Sequence, residues 1–250
     1  GRNRMNIYTV GAAAQGLADY IASHGERAKA HGVAIAYDNR RCSDLFAQRT
    51  ATVLAGNGVT VYLLEALRPT PELSFTVRHL GCTAGVVITA SHNPADYNGF
   101  KAYWSSGVQV VPPHDDNIMH CVQAVGEFKQ VQAADFRQAC AQGRIKIIGR
   151  EVDQEFLKHV QASCLSPEIS RQQGQNIKIV YTPLHGVGRP MTERLLFSAG
   201  YGSVYTVPEQ ADPDGRFPTV AFPNPEEPGA LDLALELGDR LDAELILAND

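Results

Sequence analysis

Short apolar runs alternate with amphipathic segments along the first part of the chain. The runs at 33–38 (VAIAYD), 59–64 (VTVYLL) and 84–89 (AGVVIT) are rich in β-branched residues and are typical of buried strands. Helical patterns lie between them, one following Ser43 as a plausible N-cap and one opened by Pro71. This alternation of strands and helices predicts a parallel sheet that is covered on both faces.

The segments around these strands extend the same α/β pattern. The dipeptide Asn98-Gly99 predicts a tight turn into a further strand at 100–104. Three more helices are predicted at 8–23, 114–126 and 151–163. The polar stretch at 166–176 (SPEISRQQGQN) has no apolar periodicity, so we interpret it as the separator between two units.

A second α/β unit is predicted after this polar stretch. Strands are predicted at 177–182, 201–207 and 244–248, and a helix at 229–239. Another helix begins near Pro190 and is stopped by Gly200. The loop LHGVGRP before that helix could hold an anion, but a lone G-x-G is weak evidence, and a structural role is the simpler interpretation.

The amino-acid composition and charge of the chain narrow the classes of binding partner that we expect. The 250 residues carry 22 Lys and Arg against 27 Asp and Glu, a formal net charge of −5, and we see no basic stripe. We therefore expect no nucleic-acid partner. The apolar runs are too short to span a bilayer, and no secretion signal opens the sequence, so we expect no membrane association.

The cysteines and the chain ends add two expectations. The five cysteines are odd in number and none forms a C-x-x-C pair, which favours neither a disulfide framework nor a zinc site. A reducing, cytoplasmic location is expected. Because the sequence starts without methionine and stops directly after an apolar run, we also expect it to be a fragment of a longer protein.

Ser91 follows an apolar strand in the segment TASHNPADYNGFKAYW, residues 89–104. A hydrolase nucleophile is one interpretation, although the G-x-S-x-G elbow is absent and His92 is only a sequence neighbour. A second interpretation is a structural turn set by Asn93-Pro94. The third is a serine that carries a phosphoryl group at the carboxyl end of a parallel strand, where open α/β sheets bind ligands.

Cations near strand ends support the third interpretation. A phosphoserine adds roughly −1.5 to −2 charges and needs cations close by. Lys101 lies just beyond the Asn98-Gly99 turn, and Arg40 and Arg41 follow the first strand of the predicted sheet. Each alone could be a solvated surface charge, but three at strand ends of one sheet point to a phosphate site.

The motif T-A-S-H-N-P, with Y-N-G-x-K a few residues later, resembles the active-site signature of the α-D-phosphohexomutase family, which includes phosphoglucomutases and phosphomannomutases. Further blocks resemble this family in the expected order and cover nearly all of the chain: NRMN, YDNRRCSDLFA, AYWSSGVQVVPPHD, YTPLHGVG, FPTVAFPNPEEPGAL and LILAND. They are most similar to the phosphoglucomutase branch related to phosphopentomutases. The resemblance implies two consecutive α/β/α three-layer domains with mainly parallel mixed sheets, at 1–151 and 152–250.

The resemblance also assigns roles to single residues. Ser91 matches the serine that is phosphorylated in the active enzyme, with His92 and Asn93 as its companions in the loop. Lys101 matches a lysine close to the reacting phosphate, and Arg40 matches a supporting arginine. Arg40 and Asn93 are the expected substrate- and phosphate-binding residues. The last residue, Asp250, matches the first aspartate of a D-x-D-x-D-R magnesium loop, so Mg²⁺ is the expected cofactor with Ser91 and Asp250 among its ligands.

The implied activity is a phosphosugar mutase reaction. Phosphoserine gives its phosphoryl group to a sugar monophosphate, and the resulting sugar bisphosphate, which also serves as activator, returns its other phosphate to the serine. The expected partner is therefore a small sugar phosphate. We expect the fragment itself to be inactive in the full cycle. Two alternatives stay open: a phosphopentomutase, or a non-catalytic module that binds phosphosugars or acts as a scaffold.

Overall fold

The computed structural model describes residues 4–126 and 130–250, and these residues form two compact units. The first unit comprises the described residues of Gly1–Asp38, Cys42–Ala90 and Asn98–Val152. The second comprises Asp153–Asp250 together with two short segments from earlier in the chain, Asn39–Arg41 and Ser91–Tyr97. The division at 151/152 stays a prediction, but both short segments lie in the unit that the sequence pattern did not assign them to.

Five helices in and at the edge of the first unit follow the predicted segments. The helices there are α1 (Ile7–Ser23), α2 (Glu26–His31), α3 (Ser43–Gly56), α4 (Thr70–His79), α5 (His114–Ala124) and α6 (Phe136–Ala141), with α7 (Arg150–Gln161) running into the second unit. Of these, α2 and α6 were not predicted. The strands are β1 (Val33–Tyr37), β2 (Val61–Leu64), β3 (Ala84–Ile88), β4 (Phe100–Trp104) and β5 (Ile145–Ile148).

The first sheet has the strand order β4-β3-β1-β2-β5. All pairs are parallel except β3 with β4, which is antiparallel. Alternate residues of β1 enter different cores, since Val33 and Ile35 belong to one apolar cluster and Ala34 and Ala36 to another. Because successive strand residues point to opposite faces, apolar side chains cover the sheet on both sides. The three-layer α/β/α prediction is therefore confirmed.

The start of α3 differs from the prediction. Cys42, rather than Ser43, is the N-cap, and its backbone lies in the left-handed region at φ 64°. Ser43 is the first residue of the helix and donates a hydrogen bond to Asp38 Oδ1 at 2.9 Å. Its hydroxyl therefore holds the helix start to the residue that follows β1.

The second unit has a smaller parallel sheet. Its strands are β6 (Lys178–Thr182), β7 (Ser203–Thr206) and β8 (Leu245–Ala248), in the order β7-β6-β8. Its further helices are α8 (Pro167–Gln173), α9 (Arg189–Ala199) and α10 (Asp232–Leu241). The polar stretch that we interpreted as a separator is thus largely helical, and α8 has no buried residue. No helix within 4–126 or 130–250 combines the length and the apolar character needed to cross a bilayer.

Candidate functional site

Ser91 occupies an unusual backbone conformation in an exposed turn. Its φ of 51° lies in the left-handed region, which non-glycine residues adopt uncommonly. Such conformations cost free energy and persist only where surrounding contacts impose them, and they cluster at functional sites. Ser91, His92 and Asn93 are all exposed. Ser91 therefore stands on an exposed turn rather than in the core.

Arg40 holds this turn from inside. Its Nη1 donates to the carbonyl oxygens of Pro94 and Tyr97, both at 2.9 Å. Its Nη2 donates to the carbonyl oxygens of Ser91 and Asn93, both at 2.6 Å. Only 2% of Arg40 is exposed. The four N–H groups of the two terminal nitrogens are all used on the turn's backbone, which favours a supporting role for Arg40 over direct phosphate binding.

An aromatic ring lies against the same guanidinium. The Arg40 Cζ is 5.1 Å from the centroid of the Phe217 ring, within the range of a cation–π contact. Phe217 is 5% exposed, and its φ is 50°. The loop after β7 therefore contributes a buried aromatic residue, itself in a strained conformation, to the environment of the arginine that holds the serine turn.

The residue before Arg40 is fixed by the loop after β6. Asn39 Nδ2 donates to the carbonyl oxygen of His185 at 2.7 Å. The same oxygen accepts the backbone N–H of Asp214 at 3.0 Å. Gly215 packs so closely that an added Cβ would lie 2.4 Å from the Asn39 carbonyl oxygen, so only glycine fits there. Asn39 is thus joined to the loop after β6 by its side-chain amide and to the loop after β7 by close backbone packing.

A directional chain of hydrogen bonds stabilises His185. Thr182 donates to Gln210 Oε1 at 2.6 Å, and Gln210 Nε2 donates to Thr219 Oγ1 at 3.0 Å. Thr219 Oγ1 also lies 2.9 Å from His185 Nε2, and its hydroxyl hydrogen remains available to donate to that nitrogen when the imidazole is neutral. Burial lowers the pKa of His185, while the Asp214 carboxylate acts in the opposite direction. The neutral imidazole fits this network.

His92 and Asp250 meet at the surface. His92 Nδ1 lies 2.7 Å from Asp250 Oδ1, and both side chains are substantially exposed, at 46% and 66%. The backbone N–H of Asn249 donates to the carbonyl oxygen of Thr182 at 3.1 Å, which continues the strand pairing up to the aspartate. The structure therefore brings the residue after Ser91 together with the carboxylate predicted to bind metal.

Lys101 lies on β4 in the first unit. It is half-buried and pairs with Val87 in the antiparallel register. The turn before it needs a glycine, because a Cβ on Gly99 would lie 2.7 Å from the carbonyl oxygen of Thr89. The predicted position of Lys101 beside a phosphate on Ser91 stays a prediction.

The donor set for a divalent metal is incomplete in the described part of the chain. No group of three or more His, Cys, Asp or Glu side chains that could hold a metal ion occurs there. Asp250 is a suitable hard-oxygen ligand, and a phosphate on Ser91 would supply more oxygens. These residues would contribute part of a magnesium site, and further ligands would be needed to complete it.

The sequence pattern did not reveal the supporting residues of this site. We took His185 as part of a structural glycine loop, and Phe217 stood at the start of a block that carries the family resemblance. Asn39 could have been suspected from its place beside Arg40 at a strand end, but Phe217 carries no signal in the sequence.

Comparisons with known proteins agree with the fold. The profile described as "Phosphoglucomutase/phosphomannomutase, alpha/beta/alpha domain I" matches residues 1–129, and that of "alpha/beta/alpha domain II" matches 154–250. The chain is 36% identical over 250 residues to a phosphoglucomutase of Staphylococcus saprophyticus and 35% identical over 257 residues to a phosphopentomutase of Homo sapiens. It is covered completely in both alignments and spans only 44% and 42% of those proteins.

A solved structure of a phosphomannomutase-like protein from Thermus thermophilus shares the fold, with a TM-score of 0.76 at 22% identity. That alignment covers 100% of this chain and 52% of the other. Profiles of two successive domains together match most of the sequence, in the order that the motifs predicted. The chain therefore belongs to the phosphoglucomutase/phosphomannomutase family and comprises its α/β/α domains I and II.

Proposed function

We propose that this chain is the phosphoryl-carrying part of a phosphosugar mutase that interconverts sugar 1-phosphates and 6-phosphates. The observation that carries the proposal is the Ser91 turn: an exposed serine in a left-handed conformation, held by four hydrogen bonds from the buried Arg40. A turn that only reverses the chain does not need a buried cation. A serine that must accept and release a phosphoryl group does need a fixed position.

The chemistry proposed for Ser91 is an in-line phosphoryl transfer. A sugar hydroxyl oxygen attacks the phosphorus of phosphoserine, the bond from phosphorus to Ser91 Oγ breaks, and the hydroxyl proton passes to a general base. The sugar bisphosphate then reorients, and its other phosphoryl group returns to Ser91 Oγ. Catalysis of this kind depends mainly on positioning and on neutralising the charge of the phosphoryl oxygens.

His92 and Asp250 suit parts of this process. Their hydrogen bond orients the imidazole beside the reacting serine and holds the aspartate at the end of the second sheet. We propose Mg²⁺ as cofactor, with Asp250 and the phosphoserine oxygens among its ligands. When bound, the ion would neutralise phosphoryl oxygens. Lys101 is proposed to add a second positive charge, and Asn93 to bind phosphate through its exposed side chain.

The identity of the sugar is the next level of the proposal. A hexose phosphate is our first choice, because the profiles and the staphylococcal relative carry phosphoglucomutase and phosphomannomutase names. The human relative named phosphopentomutase supports a pentose phosphate as the second choice. A cytoplasmic location belongs to the same proposal and rests on the cysteine pattern.

We also propose that the 250-residue chain takes up phosphate but does not complete the full cycle. It spans 44% and 42% of the length of the two curated relatives. Holding a bisphosphate in two orientations needs contacts at both of its ends. Such positioning can lower a barrier by roughly 7–11 kcal/mol, so its loss would be severe.

The test is phosphate transfer from a hexose 1,6-bisphosphate, followed by peptide mass spectrometry. We expect label on Ser91 in the parent chain, none in Ser91→Ala, and normal labelling in Ser105→Ala, a control at an exposed serine outside the turn. Label that persists in Ser91→Ala would contradict the proposal. Saturable bisphosphate binding without any label would instead support a non-catalytic binding module.

A further inference from the structure

Phe217 adopts a backbone conformation that aromatic residues seldom take, and its neighbours impose it. The residue has a φ of 50°, its N–H donates to the carbonyl oxygen of Asp214 at 3.0 Å, and its own carbonyl oxygen accepts from Val220 at 3.2 Å. Arg216 and Asp214 form an ion pair within the same turn, with Nη2 and Oδ2 at 2.6 Å. Strain that is over-determined in this way is typical of residues with a positioning role.

The Phe217 ring contacts the guanidinium of Arg40. The buried ring lies 5.1 Å from the guanidinium carbon of Arg40. The ring face is electron-rich and attracts a cation, and the attraction is larger where water is excluded. Arg40 is 2% exposed and Phe217 5%, so this contact is shielded from solvent.

The guanidinium is therefore held from two directions. On one side the four carbonyl oxygens of the Ser91 turn accept its N–H groups. On the other side lies the Phe217 ring, while the preceding residue, Asn39, is tied to the His185 carbonyl oxygen. The carbonyl groups of the turn and the Phe217 ring thus contact the same guanidinium.

We propose that Phe217 is a positioning residue for phosphoryl transfer at Ser91: its ring fixes Arg40, and Arg40 fixes the serine turn. The inference rests on the proposed function for its consequence in catalysis, but not for the positioning itself. Phe217 acts through Arg40 and not by contact with a reacting atom. The maximal rate of Ser91 phosphorylation should therefore depend on the ring's electrostatic character as well as on its size.

The experiment reverses the electrostatic character of the Phe217 ring and changes its shape little. Phe217→pentafluorophenylalanine inverts the ring quadrupole, so the ring face no longer attracts a cation. The matched control is Phe46→pentafluorophenylalanine, a phenylalanine that is 6% exposed in the apolar core of the first unit. Both proteins are assayed for Ser91 phosphorylation by hexose 1,6-bisphosphate in single-turnover mode, and for millisecond hydrogen exchange in residues 91–97.

At position 217 we expect the maximal phosphorylation rate to fall at least threefold, with the half-saturating bisphosphate concentration changed less than twofold. Exchange in 91–97 should accelerate at least threefold, and the Phe46 control should change neither quantity. Equal behaviour of the two fluorinated proteins would overturn the proposal. If the parent chain takes up no phosphate, the proposed function fails and exchange alone decides: faster exchange supports positioning by Phe217, and unchanged exchange refutes it.

If fluorination at position 217 prevents folding, Phe217→Tyr and Phe217→Leu replace it. Tyrosine keeps an electron-rich ring and leucine does not, so the leucine variant should show the faster exchange and the lower rate. Leu237→Ala, at a buried position of α10 in the same unit, controls for a general loss of stability. Exchange in 91–97 that is equally fast in Phe217→Leu and Leu237→Ala would refute a specific role for the ring.

Discussion

Replacing Arg40 with alanine removes the four hydrogen bonds that hold the Ser91 turn, and the structure allows the cost to be worked out. A hydrogen bond to a charged group contributes about 1.5–3 kcal/mol when buried. Three of the four accepting carbonyls belong to exposed residues and the fourth to the half-buried Pro94, so all four can bind water instead, and about 0.5–1 kcal/mol each is the better figure. This gives roughly 2–4 kcal/mol for the set.

Loss of the contact with Phe217 adds to this cost. A cation–π contact contributes about 0.5–1 kcal/mol at exposed sites and about 2 kcal/mol or more when shielded from water. The Arg40–Phe217 contact is shielded, so together we expect Arg40→Ala to destabilise the second unit by roughly 4–6 kcal/mol. Arg40→Lys should lose less, because the ammonium keeps the charge but cannot direct donors at four carbonyls from a planar fork.

The assay is urea unfolding followed by hydrogen-exchange mass spectrometry. Peptides from 153–250 report on the second unit separately, which matters because two units need not unfold in one transition. Arg194→Ala is the matched control, since Arg194 is an exposed arginine on α9 and its loss should cost less than about 0.5 kcal/mol. Stability of Arg40→Ala within about 1 kcal/mol of this control would refute the energetic argument.

Three further predictions concern other parts of the chain. Burial lowers the pKa of His185, so its neutral form stabilises the fold above the ordinary pKa of about 6.5, and this contribution is lost as the pH falls through the lowered pKa. The urea midpoint of His185→Gln should therefore depend less on pH in that range than the midpoint of the parent chain. Midpoints of the two proteins that change in parallel with pH would contradict this. Gly85→Ala should cost about 1–3 kcal/mol in thermal or urea unfolding, because the new Cβ would lie 2.5 Å from Val77 Cγ2, and an unchanged midpoint would exclude this overlap. Burial raises the pKa of Cys82 to about 12, so at pH 8 its thiol should react with a disulfide reagent far more slowly than the thiol of the exposed Cys164. Equal reaction rates of the two thiols would show that Cys82 is accessible to the reagent.

The hydrophobic periodicity of the sequence was sufficient to locate most of the helices and strands. The elements that it did not reveal have identifiable physical reasons. β1, β2 and β3 are buried apolar runs and could be located from the sequence. β5 was missed because two of its four residues, Lys146 and Ile147, are exposed at a sheet edge, which weakens the pattern. α8 was taken for a linker because none of its residues is buried, so no apolar stripe marks it as a helix.

The residues of the candidate site could also be predicted from the sequence only in part. Ser91 and its companions stand in a contiguous motif, so a short segment was enough to select them. The support of that motif comes from Arg40, Phe217 and His185, which are far apart in the chain and meet only in the folded unit. A phenylalanine between an arginine and a proline has no local pattern that could indicate a cation beneath its ring.

The left-handed backbone of Ser91 limits which hydroxyl-bearing residue can stand at this position. A β-branched side chain at a φ near 51° is a genuine conformational outlier, because its second branch crowds the adjacent backbone. Threonine would therefore have to distort the turn, and with it the four carbonyls that meet Arg40. Of the two aliphatic alcohols among the amino acids, the local geometry admits serine at the lower cost. The φ angle at position 91 therefore favours serine over threonine, independently of how the two hydroxyl groups compare as nucleophiles.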